Sequence, residues 1–252
     1  MPLNSMISTY NINKIAVALV VSCVQMPLSS LATQQEMLFI QQFVKPSSLV
    51  FDVGAHTGTK TDLYLKLNAH VICIEPQQSC LNLLKNKYQF NPNVQIVDRG
   101  LADKIGEMEL YICSAATTIS TFSDEWQHGR FENDFQWDKK IIVPVTTLDE
   151  LIKIFGIPYF CKIDVEGFEH QVLRGLSQAI PYISFEYTKE LFKNSKTCLE
   201  YLSKLGYVSF NYTIGETLRF VHPEWISPEQ LIQEIECHDD CLLWGDIYAR
   251  CE

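Results

Sequence analysis

The 252-residue chain holds 20 Lys and Arg against 30 Asp and Glu, a net charge of −10, with 47% apolar residues. That length suits one large α/β domain. The acidic balance without a basic block argues against a broad grip on nucleic acid, and an odd count of nine cysteines is a poor disulfide framework.

Lys14, the apolar run 15–24 and Ser30-Leu31-Ala32 resemble a secretory signal with a cleavage site. The run is shorter than the about 20 residues that span a bilayer. Residues 1–32 are therefore read as an N-terminal extension, either a signal or a membrane tether, and 33–252 as a single domain. From residue 33, with Thr33 as N-cap, a helix is expected to residue 43, followed by a strand at 49–53 and a helix at 59–67. Strand 71–75, helix 77–88 and strand 94–98 continue the rhythm. Uninterrupted apolar strands alternating with helices predict a doubly wound, mostly parallel sheet covered on both faces.

The rhythm breaks after residue 98. Residues 107–113 and 141–146 read as two further strands, separated by the polar and aromatic stretch TTISTFSDEWQHGRFENDFQWDKK. A segment of that length inside a domain is commonly functional or mobile. Its rings, Phe122, Trp126, Phe131, Phe135 and Trp137, are read as a lid over a ligand, an oligomer contact or core. Thr147 or Asp149 opens a short helix, with Asp149 the expected cap. Strands at 159–164, 182–187 and 207–212, helices at 166–176 and 189–205, a helix opened by Ser227-Pro228-Glu229, and a last strand at 241–249 complete the pattern. Cys73, Cys113 and Cys161 lie in apolar strands and are expected to be buried. CHDDC at 237–241 reads as a solvated turn, since a zinc site normally draws on two separated ligand pairs.

In open α/β sheets, ligands bind beyond the carboxyl ends of the strands. Four strands end here in carboxylates: Asp52, Glu75, Asp98 and Asp164. Such a cluster is costly unless a ligand or donors offset it. Gly54 permits a sharp turn and close ligand approach. Glu75 follows after a spacing that suits a carboxylate accepting both ribose hydroxyls. Ala55-His56 fills the centre of the dinucleotide fingerprint, and Lys60 after Gly58 misses the phosphate-loop spacing. Elimination leaves a cationic sulfonium nucleoside, S-adenosylmethionine, with a nicotinamide cofactor disfavoured.

VFDVGAHTG, ICIEP, VPVTTLDEL, CKIDVEGFEHQVLRG and ISFEYT together resemble the FkbM-type family of S-adenosylmethionine-dependent methyltransferases, over roughly residues 36–190. The resemblance implies a seven-stranded, Rossmann-like sheet, with a hairpin or loop inserted after the third strand. It implies that Asp52, Gly54, Ala55, His56 and Gly58 line the methionine and ribose portion and that Glu75 holds the diol. Gly100 and Leu101 depart from the Asn-Ala more usual there, so Leu101 and Asp98 stand for the adenine side. Relatives of the better-known kind methylate hydroxyls of sugars and natural products. The expected acceptor is thus a small molecule, a glycan or a lipid-linked compound, with no nucleic acid; the alternative is a non-catalytic relative acting as a scaffold.

Asp164 is the first candidate for base or acceptor positioning, with Glu166 and His56 as companions and Glu186 on the acceptor side. Each has a plainer reading: Asp52 satisfied by turn amides, Glu166 at a helix N-terminus, His56 a polar filler, and His170 a helix-surface partner of Glu166. Lys162 is expected to point away from the crevice and snorkel. No metal set is assigned, although Asp164 with Glu166 could hold a divalent ion. A cytosolic cofactor favours a cytoplasmic enzyme; export or membrane attachment through residues 14–32 is the alternative.

Overall fold

The computed structural model describes residues 31–251. The apolar run 15–24, the Ser30 side of the expected cleavage site and the tethering role lie outside the described residues. Among those described, no helix is long and apolar enough to cross a membrane.

The first helix, α1 (Leu31–Ile40), begins before Thr33, so Thr33 is inside it and not its cap. Then follow β1 (Leu49–Val53), α2 (Thr59–Lys66), β2 (His70–Ile74), α3 (Gln78–Tyr88) and β3 (Val94–Val97). A two-residue strand, β4 (Gly100–Leu101), precedes β5 (Gly106–Ile112) and, after the short helix α4 (Asp124–Gln127), β6 (Lys139–Thr146). The second half holds α5 (Leu148–Phe155), β7 (Phe160–Ile163), α6 (Glu169–Arg174), β8 (Tyr182–Thr188), α7 (Phe192–Lys204), β9 (Ser209–Tyr212), α8 (Pro228–Cys237) and β10 (Trp244–Arg250).

Seven strands form one sheet in the order β3-β2-β1-β7-β8-β10-β9. The pairs from β3 through β8 are parallel, but β10 runs antiparallel to both neighbours, so the sheet is mixed. Side chains alternate between two cores. Phe51, Val53, Ile72 and Ile163 join one core with α5 to α8, whereas Val50, Val71 and Phe160 join the other with α1 and α2. The apolar runs are continuous because both faces are covered.

β5 and β6 pair antiparallel, and β4 adds parallel to β6, making a separate three-stranded sheet. The stretch between β5 and β6 builds a small core of its own from Cys113, Ala116, Ile119, Trp126 and Phe131. Trp137 donates its indole N–H to the Ile119 carbonyl at 2.9 Å. Of its rings, Trp126 and Phe131 are packed as core.

Three local expectations change. Thr147, not Asp149, caps α5: its hydroxyl accepts from Glu150 N, whereas the Asp149 carboxylate accepts from Ser177 N. The helix expected at 166–176 begins only at Glu169, because Glu166 and Gly167 take positive φ values of 54° and 85°. The carboxylate in the first turn of α6 is therefore Glu169, not Glu166. Cys73, Cys113 and Cys161 are buried, while Cys237 and Cys241 are exposed.

Candidate functional site

The ends of β1, β2 and β7 open into a cavity of about 490 Å³. Gly54, His56, Glu75, Leu101, Asp164 and Glu166 all line it. Glu75 and Asp164, from strands flanking β1 on opposite sides, thus share one cavity.

Gly54 is fixed by its surroundings. Its φ is +79°, and a Cβ there would lie 1.9 Å from the Asp164 carbonyl oxygen. Only glycine lets the β1 turn pass this close to β7. The Gly54 and Ala55 amides both donate to the Ile74 carbonyl, tying the turn to β2. Glu75, 2% exposed, accepts from His56 N at 2.9 Å through Oε2 and from Gln77 N at 2.8 Å through Oε1. Burial pushes its carboxyl up to about 7, against the pull of those two amides.

The roof comes from the segment after β5. His56 Nε2 pairs with Thr117 Oγ1 at 2.9 Å, Gln77 Nε2 donates to the Thr117 carbonyl at 3.0 Å, and Thr121 Oγ1 donates to the Glu166 carbonyl at 2.7 Å. Phe122 joins the lining and packs on Phe168 with ring centroids 5.4 Å apart. His56 (φ 48°) and Glu166 both hold left-handed backbone, a conformation that costs a non-glycine residue about 1–3 kcal/mol. Both strained residues line this cavity. Burial lowers the pKa of His56.

Several expected contacts are not in the lining. Asp52 is buried under the turn and accepts from Thr61 Oγ1 at 2.6 Å, so its partner is a hydroxyl of α2 and not the turn amides. Ala55 is buried in the core of the α1–α2 face. Gly58 packs on Tyr88, whose hydroxyl donates to its carbonyl at 2.9 Å. Asp98 turns to solvent and pairs with Lys85 at 3.1 Å, outside the cavity lining. The four strand-end acids are thus two in the cavity, one beneath it and one outside.

Lys162 reverses its expectation. Residues two apart on a strand share a face, so Lys162 points the same way as Asp164. It is 6% exposed, donates to Asp164 Oδ2 at 2.8 Å and lies 3.8 Å from Asp246 Oδ1. Burial opposes its charge, but these carboxylates outweigh it and hold the ammonium well above its ordinary value.

A second cavity, of about 700 Å³, lies on the face covered by α1 and α2. Asp164 lines both cavities. At their junction, carboxylate oxygens of Asp164, Glu166 and Glu186 come within 4.8 Å of one another. Glu169 lies just behind, accepting from Val165 N and Gly167 N; burial and then the Glu186 charge push it up to about 8. Sequence reading missed Gln77, the Thr117–Thr121 roof and Glu169. Gln77 was reachable, being two residues past a strand-end acid; the roof residues carry no local signal.

The family model described as methyltransferase FkbM domain matches residues 52–209, well over half of the chain. No curated protein matches the chain. Among solved structures, a precorrin-6y C5,15-methyltransferase from Geobacter metallireducens is similar at 11% identity and a TM-score of 0.46, covering 91% of this chain and 92% of that one. A TehB-like SAM-dependent methyltransferase from Corynebacterium glutamicum is similar at 10% identity and a TM-score of 0.45, covering 96% and 97%. Fibrillarin from Aeropyrum pernix, solved with natively bound S-adenosyl-L-methionine, is similar at 10% identity and a TM-score of 0.39, covering 94% and 74%.

Proposed function

This chain belongs to the FkbM methyltransferase family and is an S-adenosylmethionine-dependent methyltransferase; from that premise we propose that it methylates a hydroxyl of a sugar, a glycan or another small molecule. The observation that carries the reading is the shared cavity of Glu75 and Asp164, which opens at Asp164 toward a second cavity. One cavity suits the methyl donor, and its neighbour suits the acceptor.

The residues of the first cavity fit the cofactor. Each Glu75 oxygen accepts one backbone N–H and keeps a lone pair, which suits a ribose diol. Among the described residues, Gln77 Oε1 is a buried acceptor with no partner, and it lines the same cavity. A ligand hydroxyl or amino group would satisfy it. Gly54 and His56 would border the methionine portion, and Leu101 the adenine. Asp52 would support the turn through Thr61 without touching the ligand. S-adenosylmethionine supplies an electrophilic methyl group on a sulfonium.

The chain's own work is to hold a hydroxyl in line and take its proton. Asp164, braced by Lys162, suits acceptance of a hydrogen bond from that hydroxyl. Glu166, on the strained turn beside it, suits the proton. His56, with its pKa lowered by burial and Nε2 engaged by Thr117, suits alignment of the roof. Much of the rate enhancement in such a displacement comes from orientation in a dry site. The cofactor is a cytosolic metabolite, so the reading places the enzyme in the cytoplasm, which fractionation tests. The acid set at both cavities is more than a non-catalytic scaffold requires. The deciding experiment is incubation with labelled methyl donor and total cell extract. We expect a labelled small molecule or glycan, with loss of label in Glu75→Ala. Label on protein nitrogen, or on no acceptor while S-adenosylhomocysteine still binds, would overturn the O-methylation reading.

A further inference from the structure

The second cavity has a floor that its own protein groups do not satisfy. Ser184 lies in the middle of β8, fully buried, and lines this cavity. Among the described residues its hydroxyl has no hydrogen-bond partner. It stands between Lys162 on β7 and Tyr248 on β10, its register neighbours. A buried hydroxyl without a partner costs about 1–3 kcal/mol. It is the type of group that a ligand hydroxyl would complete.

The walls add charge and flat apolar surface. Glu36, Asp164, Glu186, Glu216 and Asp246 face two cations, Lys60 and Lys162. Both cations are already engaged: Lys60 pairs with Glu36 at 2.5 Å, and Lys162 with Asp164 at 2.8 Å and Asp246 at 3.8 Å. Five acids against two bases leave a negative cavity. A phosphate or carboxylate entering it would meet like charge in a partly buried setting, which disfavours binding. Trp244 supplies an aromatic ring, while Tyr248 is stacked on Phe43 with centroids 4.9 Å apart.

We propose that this cavity is the acceptor site and that it takes a polyhydroxylated ring bearing no anionic group, neutral or amino-substituted. The ring rests against Trp244, hydrogen-bonds to Ser184 at the floor, and presents one hydroxyl to Asp164 at the junction. This proposal deepens the methyltransferase reading and rests on it.

The test uses the full-length protein, labelled S-adenosylmethionine and total extract as acceptor pool. The labelled product should pass through an anion exchanger at neutral pH. Passage through a cation exchanger as well identifies a neutral ring, and retention there an amino-bearing one. Label held by the anion exchanger overturns the proposal with no variant needed. Ser184→Val, which fills the floor with a strand-compatible side chain, should raise the acceptor KM at least tenfold. It should leave S-adenosylhomocysteine affinity within about threefold, which also reports that the variant folds. Unchanged acceptor kinetics in that variant overturn the acceptor-site assignment but leave the methyltransferase reading standing. Failure of the wild-type protein to bind S-adenosylhomocysteine overturns both.

Discussion

Replacing Glu75 by glutamine and measuring S-adenosylhomocysteine affinity from pH 6 to pH 8 separates the charge of this side chain from its shape. Burial pushes the cofactor-free Glu75 carboxyl up to about 7. With that value, the ionised fraction falls about tenfold between pH 8 and pH 6, or roughly 1.4 kcal/mol. A ribose diol donates its hydrogen bonds and therefore favours the ionised form. Wild-type affinity should weaken about tenfold on going down that range. In Glu75→Gln the amide nitrogen cannot accept from either His56 N or the diol. Affinity at pH 8 should fall by about 1.5–3 kcal/mol, the worth of a hydrogen bond to a charged group, and the profile should flatten. Cys80, nearby, is pushed up to about 12 by burial and stays protonated throughout. Isothermal titration calorimetry reads both quantities. A flat wild-type profile, or an equal slope in the variant, refutes the assignment of Glu75 as the diol acceptor.

Three other outcomes follow from the packing. Glu169 is raised to about 8, so its contribution to stability is complete below the unfolded value of 4.5 and is lost as pH rises through 8. Urea denaturation of the cofactor-free protein should show stability falling from pH 5 to pH 8 by up to about 1.4 kcal/mol per unit from this group and levelling off above, with Glu169→Gln flattening the curve; an unaltered slope counts against it. Gly54→Ala forces a left-handed alanine and a 1.9 Å contact, and should cost about 2–4 kcal/mol as well as cofactor binding. A variant of wild-type stability would show that the turn relaxes freely. Trp126→Ala, at a site 2% exposed, should remove about 3–5 kcal/mol from the small core. Limited proteolysis should then cut between β5 and β6 before the sheet, and resistance equal to wild type would place Trp126 outside the fold of that segment.

How far the sequence carried depends on where each interaction partner lies. The strands at 49–53 and 71–75 and the Glu75 position were legible because apolar runs and strand-end acids are local signals. Asp52 was ambiguous, since its partner Thr61 is nine residues away on a helix whose rotation no local pattern gives. Asp98 stays outside the cavity lining because a strand-end acid can turn outward, here to Lys85. Lys162 needed only the two-residue period of a strand, applied from Asp164. The antiparallel β10 was invisible: strand direction is set by what lies beside it. The roof tie from Thr117 to His56 spans 61 residues and leaves no trace in either segment.

The position of β10 has a consequence for how the molecule comes into being. The strand lies between β8 and β9, yet all of the other strands precede it in the chain. A polypeptide interrupted before residue 244 leaves two raw edges inside the sheet. It also leaves Lys162 with one acid where it should have two, and the second cavity without a wall. The first cavity draws none of its lining from β10, whereas the second takes Trp244, Asp246 and Tyr248 from it, so the last strand of the chain completes one cavity and not the other.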